Sequence, residues 1–183
     1  MGQDFTLTKQ HDILSKIVFN NYKKIPKIEK LIKYYELTAI EQNGKFPDHR
    51  YFFDSPNVFI TLEKQILGFN SVPIAKIDAE VYVDSGFPGY IGASDETKML
   101  GKQTFVIEIK PKIDSFIQFL GQMNKYKEIY QKHWSKQINS IGIFWECDYE
   151  DAQILKKHGI ECYICEQNDK TKEISFREVE KPI

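Results

Sequence analysis

The stretch Thr104-Phe-Val-Ile-Glu-Ile-Lys-Pro-Lys-Ile-Asp-Ser-Phe-Ile-Gln-Phe-Leu-Gly-Gln-Met-Asn-Lys-Tyr126 changes its hydrophobic period halfway along, and that change decides the fold. Its first eight residues are β-branched, aromatic and closed by Pro111, which predicts a strand. From Ile113 onward the apolar residues Ile113, Phe116, Ile117, Leu120 and Met123 follow helical spacing. Strand side chains alternate, so Ile107 and Ile109 face one side while Glu108 and Lys110 share the other. A carboxylate and an ammonium can therefore face one reaction centre. On the helix, Gln122 and Tyr126 are four apart and lie on one face.

Working outward, the alternating run from Asn57 (Val58, Ile60, Leu62) predicts a strand that ends in a turn at Gly68-Phe69-Asn70. A second strand is expected from Val72 to Asp84. Ile77, Ala79, Val81 and Val83 form its apolar face, and Asp78, Glu80, Tyr82 and Asp84 its polar face. Residues 85 to 102 read as a long glycine-rich connection. The three strands then make an antiparallel meander, with Asp78 or Glu80 across from Glu108. Residues 11 to 42 are helical in pattern, and Pro26 divides them into two helices. Downstream come a strand from Ile138 to Trp145, a helix from Asp151 to His158 stopped by Gly159, and a strand from Ile160 to Ile164. Glu173 to Val179 has the pattern of an edge strand. Strand, helix and strand in succession imply right-handed crossovers and parallel members in the sheet. The expected class is α/β: a central mixed sheet, meander plus parallel strands, flanked by helices. A helical segment, residues 1–56, packs on a core, residues 57–183, within one domain.

At 183 residues the chain is long enough for one domain with a substantial core. With 42% apolar and 14% aromatic residues it is not a disordered tail. No apolar run has the length of a membrane span and Met1-Gly-Gln-Asp has no signal-peptide pattern, so a cytoplasmic location is the expectation. The net charge of −1 announces no polyanionic partner, but the stretch from Lys98 to Lys136 holds eight lysines against three acids. Those lysines fit either a phosphate-binding face or a solvated helix, as do the five from Lys23 to Lys33. Cys147, Cys162 and Cys165 read as free thiols, with Cys162 and Cys165 facing opposite sides of a strand. His133 and His158 have no partners at zinc-ligand spacing. Gly86-Phe-Pro-Gly-Tyr-Ile-Gly92 lacks the lysine and helix of a phosphate loop.

Ile77-Asp78, then Glu108-Ile109-Lys110, then Gln122-x-x-x-Tyr126 resemble, in order and in the elements that carry them, the PD-(D/E)XK nuclease superfamily. The match is to its branch similar to the RecB nuclease domain, over about residues 58 to 165. The resemblance implies a restriction-endonuclease-like core and a Mg²⁺ ion, replaceable by Mn²⁺. Its ligands would be Asp78, Glu108 and the Ile109 carbonyl. Lys110 would position the attacking water, and Gln122 and Tyr126 would orient Lys110 or contact the substrate strand. Glu80 and Asp84 compete with Asp78 as the acid of the second strand. Glu29, Glu36 and Glu41 compete for the acid that many members draw from the first helix. His11 and His49 are available for the histidine that the branch often carries N-terminally. Some relatives hold an iron–sulfur cluster with four cysteines, one of them before the core. This chain has no cysteine before Cys147, so no such cluster is expected.

Phosphodiester hydrolysis at neutral pH calls for a metal that polarises phosphate and activates water. Mg²⁺ needs only one or two carboxylates beside the substrate phosphate. The reading is therefore a Mg²⁺-dependent deoxyribonuclease acting on single- or double-stranded DNA, with no membrane partner. Assembly as a homodimer or in a larger complex is compatible with it. The competing class is a nucleic-acid-binding or assembly subunit of the same fold without catalysis.

Overall fold

A computed structural model describes the backbone of residues 2–45, 56–67, 73–84 and 102–181, and their side chains except those of 2–8 and 38–45. Helix α1 (Gly2–Asn21) leads through a 3-10 turn (Tyr22–Lys24) into α2 (Pro26–Lys45). The strands β1 (Asn57–Leu67), β2 (Pro73–Asp84) and β3 (Gln103–Lys112) follow. Then come α3 (Phe116–Trp134), β4 (Asn139–Glu146), α4 (Tyr149–Lys157), β5 (Ile160–Gln167) and β6 (Ile174–Glu178). Proline opens α2 because its fixed φ and missing N–H suit the first helical position.

The strands form a six-stranded sheet in sequence order, antiparallel from β1 to β3, parallel from β3 to β5 and antiparallel again at β6. The expected α/β class with a mixed sheet is thus what the chain adopts. Strand order advances in the same direction through both parallel connections, so crossovers of one hand put both helices on one face. There Phe119, Met123 and Ile129 of α3 and Leu155 of α4 pack with Val106, Phe144 and Ile160. On the opposite face Leu14 and Val18 of α1 and Ile28 and Tyr35 of α2 cover Val81, Phe105, Ile107 and Ile143. β3 lies in the middle of these three layers and is buried on both faces from Thr104 to Ile109. Gly142 lets α3 sit down on β4: a Cβ there would fall 2.7 Å from the Phe144 ring, which stacks on Phe119.

Two expectations need correction. α3 starts at Phe116 behind the N-cap Ser115, and its buried stripe is Phe119, Met123, Tyr126, Ile129 and Tyr130. Ile117 is 81% exposed and Ile113 precedes the helix. Counting aliphatic residues misplaced the stripe, because two tyrosines bury their rings and find acidic partners for their hydroxyls. The second correction concerns alternation in β2. Ala79, Val81 and Val83 join the core beneath α1 and α2, whereas Ile77 joins the one beneath α3. β1 switches in step, with Leu62 on the first side and Ile66 on the other. Between them Glu63 takes the left-handed conformation, φ 49°, and the register passes from Leu62↔Ala79 to Lys64↔Ile77. Asp78 sits at this irregularity, so it does not share surroundings with Glu80. The turn at 68–70 and the connection at 85–101 lie outside the described residues.

Candidate active site

Glu108 is fully buried, between β2 and α3. The Tyr126 hydroxyl lies 3.1 Å from its Oε2, and Lys110 Nζ stands 2.7 Å from Oε1. The lysine contact is a close ion pair at the buried Oε1. Burial, reinforced by the charge of Asp78, pushes the Glu108 carboxyl up to about 7. Burial disfavours the charged form of Lys110 as well, but the Glu108 carboxylate outweighs it and the lysine pKa rises.

Asp78 is held differently. The ladder between β2 and β3 ends at Ala79↔Ile107. The Ile109 N–H, farther along β3, donates instead to Asp78 Oδ2 at 2.9 Å. His11 of α1 brings Nε2 to 3.5 Å from the same oxygen, and its other nitrogen is 3.6 Å from Asp12. Burial works against the charge on Asp78, yet His11, the Ile109 N–H and Lys110 together hold its pKa below the ordinary carboxylate value. The Asp78 contact in turn raises the pKa of His11 against the effect of burial. Two neighbouring carboxyls are thus driven apart in acidity. That separation is common where one group must hold a cation and another must exchange a proton.

Tyr126 ties the helix to both strands. Its hydroxyl is 2.7 Å from the Lys76 carbonyl as well as 3.1 Å from Glu108, and it accepts from the Gln122 amide at 2.6 Å. The pair does share a helix face, but the group it supports is Glu108, where orientation of Lys110 was one expected role.

The competing acids are committed elsewhere. Glu80 is paired with Lys64 and accepts from the Tyr130 hydroxyl at 2.6 Å, which occupies both its oxygens. Asp84 lies 3.5 Å from Lys102 at the other end of β2. Glu29 is bound to Lys33 and Glu36 is exposed on α2, while the side chain of Glu41 and all of His49 lie outside the described residues. Position 11 is the N-terminal contribution, and the sequence had marked it only as an available histidine. Four residues from there, Ser15 faces inward with a buried, unpartnered hydroxyl.

The lysines of the 98–136 stretch do not form one face. Lys102 and Lys112 flank opposite ends of β3, and Lys127 donates to the His158 carbonyl. Lys127, Lys132 and Lys136 line a cleft along the C-terminal half of α3 and the segment that follows it. Lys98 lies outside the described residues. Cys162 and Cys165 are buried in cores on opposite sheet faces, and burial pushes Cys165 up to about 12.

The oxygen set suits a hard divalent cation. Asp78 and Glu108 are neighbouring acids whose charges act on each other, the Ile109 N–H binds Asp78, and the buried Glu108 Oε1 has the Lys110 ammonium beside it. Among the described residues no three His, Cys, Asp or Glu side chains converge on one point, as a closed zinc site would require. A Mg²⁺ ion that keeps several waters has no such requirement. No family model matches the chain, and no curated protein is similar to it.

Proposed function

We propose that this protein is a metal-dependent nuclease that hydrolyses phosphodiester bonds of DNA, in the manner of the PD-(D/E)XK enzymes its motifs resemble. The observation that carries the reading is the Asp78–Glu108–Lys110 cluster. It joins one carboxylate held ionised, one fully buried carboxyl, and one ammonium 2.7 Å from an oxygen of that carboxyl.

Asp78, Glu108 and the Ile109 carbonyl would hold the Mg²⁺ ion. When bound, that ion polarises the phosphate and lowers the pKa of coordinated water. Asp78 supplies a charge already formed at neutral pH. Glu108 gives up its proton near pH 7, so it becomes a full anion on the alkaline side of neutrality. Lys110, 36% exposed, extends its ammonium from the buried carboxylate toward solvent, where it can donate to the attacking water and to the charge developing on phosphate. Tyr126 fixes the Glu108 carboxyl by its contact with Oε2, and Gln122 fixes Tyr126. In the resembled family the products carry 5′-phosphates, and the same is expected here.

The test is incubation with single- and double-stranded DNA and with RNA in Mg²⁺ or Mn²⁺, with Lys110→Ala as control. Metal-dependent cleavage of DNA that vanishes in the control supports the enzyme. Binding without cleavage under all of these conditions favours the non-catalytic subunit.

A further inference from the structure

Nothing inside the fold requires a glycine at position 121. Glycine in a helix interior is less favourable than alanine. The left-handed backbone that would excuse it belongs to Gly159, not to Gly121. Packing does not demand it either, since a Cβ at Gly121 meets nothing within 4 Å, in contrast to Gly142. The residue is exposed, on the second turn of α3.

Its neighbours on the helix surface are as unusual. At about 100° per residue, Ile117, Gly121, Lys125, Gln118 and Gln122 occupy one continuous arc. The arc ends at Gln122, whose amide donates to Tyr126 beside Glu108. Ile117 is 81% exposed, far more than any other large apolar residue of this helix, of which Phe119, Met123 and Ile129 are buried. Lys125 is exposed and has no ion pair among the described residues. The result is a notch floored by helix backbone, with an apolar lip and a cationic lip, continuous with the site.

We infer that the nucleic-acid strand bound at Glu108 and Lys110 continues across this notch, its backbone closely approaching α3 at Gly121. Glycine is the residue that permits such an approach. Lys125 neutralises a phosphate of that strand and Ile117 packs on a sugar or base. The inference rests on the nuclease reading and makes Gly121 a specificity-determining residue of that site.

The experiment compares the unsubstituted protein with Gly121→Ala, Gly121→Leu and Lys125→Ala. It measures melting temperature, cleavage kinetics in Mg²⁺ and affinity in Ca²⁺ for a fluorescently labelled DNA oligonucleotide. Gly121→Leu should raise KM about tenfold or more with kcat nearly unchanged, and Gly121→Ala less, the pattern of lost ground-state and transition-state binding alike. Lys125→Ala should weaken affinity and flatten its salt dependence. A Gly121→Leu variant with full stability and unchanged KM overturns the inference while leaving the nuclease intact. Should Gly121→Leu fail to fold, Gly121→Ala with unchanged KM overturns it equally. An unsubstituted protein that neither binds nor cleaves DNA removes the nuclease reading and this inference with it.

Discussion

The backbone N–H of Ile109 donates to the side chain of Asp78 where strand pairing between β2 and β3 has stopped. A side-chain oxygen thus takes a donor that would otherwise seek a partner on the neighbouring strand, and the two strands separate where Glu108 needs room. The left-handed Glu63 lies opposite Asp78, between the pairs Leu62↔Ala79 and Lys64↔Ile77, which share one register. Strained backbone of this kind persists when surrounding structure over-determines it, and it clusters at functional sites.

Removing Asp78 should therefore do more than remove a charge. Asp78→Ala leaves the Ile109 N–H without its acceptor and His11 without its anion, which should cost about 1–3 kcal/mol at neutral pH. The coupling between Asp78 and His11 has a defined pH window. The folded Asp78 pKa lies below the ordinary value of 3.8, so its share of stability is present above that value and is lost as pH falls through the folded pKa. The folded His11 pKa lies above 6.5, so its share is complete below 6.5 and is lost as pH rises through the folded value. A double-mutant cycle by urea unfolding should show its largest coupling between these limits. Coupling that is flat from pH 4 to pH 9 would mean the two groups do not interact as ions.

Glu108 should behave in the opposite sense. Its folded pKa of about 7 exceeds the ordinary value of 4.5, so between the two the folded state holds a proton that the unfolded state has lost. Stability contributed by this group is complete below 4.5 and falls through the window up to about 7, by up to about 1.4 kcal/mol per pH unit. Glu108→Gln should accordingly be more stable than the unsubstituted protein at pH 8 without metal, with the gap closing toward pH 4.5. The same variant should lose Mg²⁺ binding by calorimetry. Unchanged Mg²⁺ affinity would remove Glu108 from the ligand set.

How much of this was legible in the sequence depends on what each residue's position rests on. Glu108, Ile109 and Lys110 sit on a strand buried on both faces, so period two fixed their directions and the structure keeps them. Element order and sheet class followed from the same periodicity. Asp78 was readable as a candidate but not distinguishable from Glu80, because alternation assumes a regular strand. The switch between Ile77 and Ala79 lies opposite the left-handed Glu63 of another strand, with no glycine to announce it. His11 was named only beside His49 as an available histidine, for a related reason: its contact with Asp78 comes from docking of α1 on the sheet, a long-range contact with no local pattern. The lysine-rich run misled because its residues are neighbours in sequence while β3 and α3 carry them to opposite ends of the sheet.

Tyr126 gives a test that separates positioning from simple packing. Its hydroxyl has one proton to share between the Lys76 carbonyl at 2.7 Å and Glu108 Oε2 at 3.1 Å. The contact with Tyr126 favours the ionised carboxylate, so Tyr126→Phe should raise the Glu108 pKa further. The alkaline rise of the pH–rate profile should then move to higher pH, with activity partly recovered above it. A uniform fall in rate at every pH would indicate that the hydroxyl serves only the fold.

Lys110 separates catalysis from binding most cleanly. Its ammonium is paired with a buried carboxylate and partly exposed, so it sits at the boundary between the acids and any bound phosphate. An interaction made chiefly in the transition state lowers turnover when removed and leaves binding nearly intact. Lys110→Ala should therefore cut cleavage by about a hundredfold or more, the range for loss of one electrostatic stabiliser. DNA affinity in Ca²⁺ should change little. The variant also leaves Glu108 without its counter-charge, which shifts the carboxyl toward its neutral form and should raise the pH at which residual activity appears. Lys132, on the cleft along the C-terminal half of α3, supplies the contrast: Lys132→Ala should leave the pH profile unmoved and cleavage nearly intact. If Lys110→Ala retains full cleavage and loses only affinity, Lys110 is a phosphate contact and the nuclease reading loses its central residue.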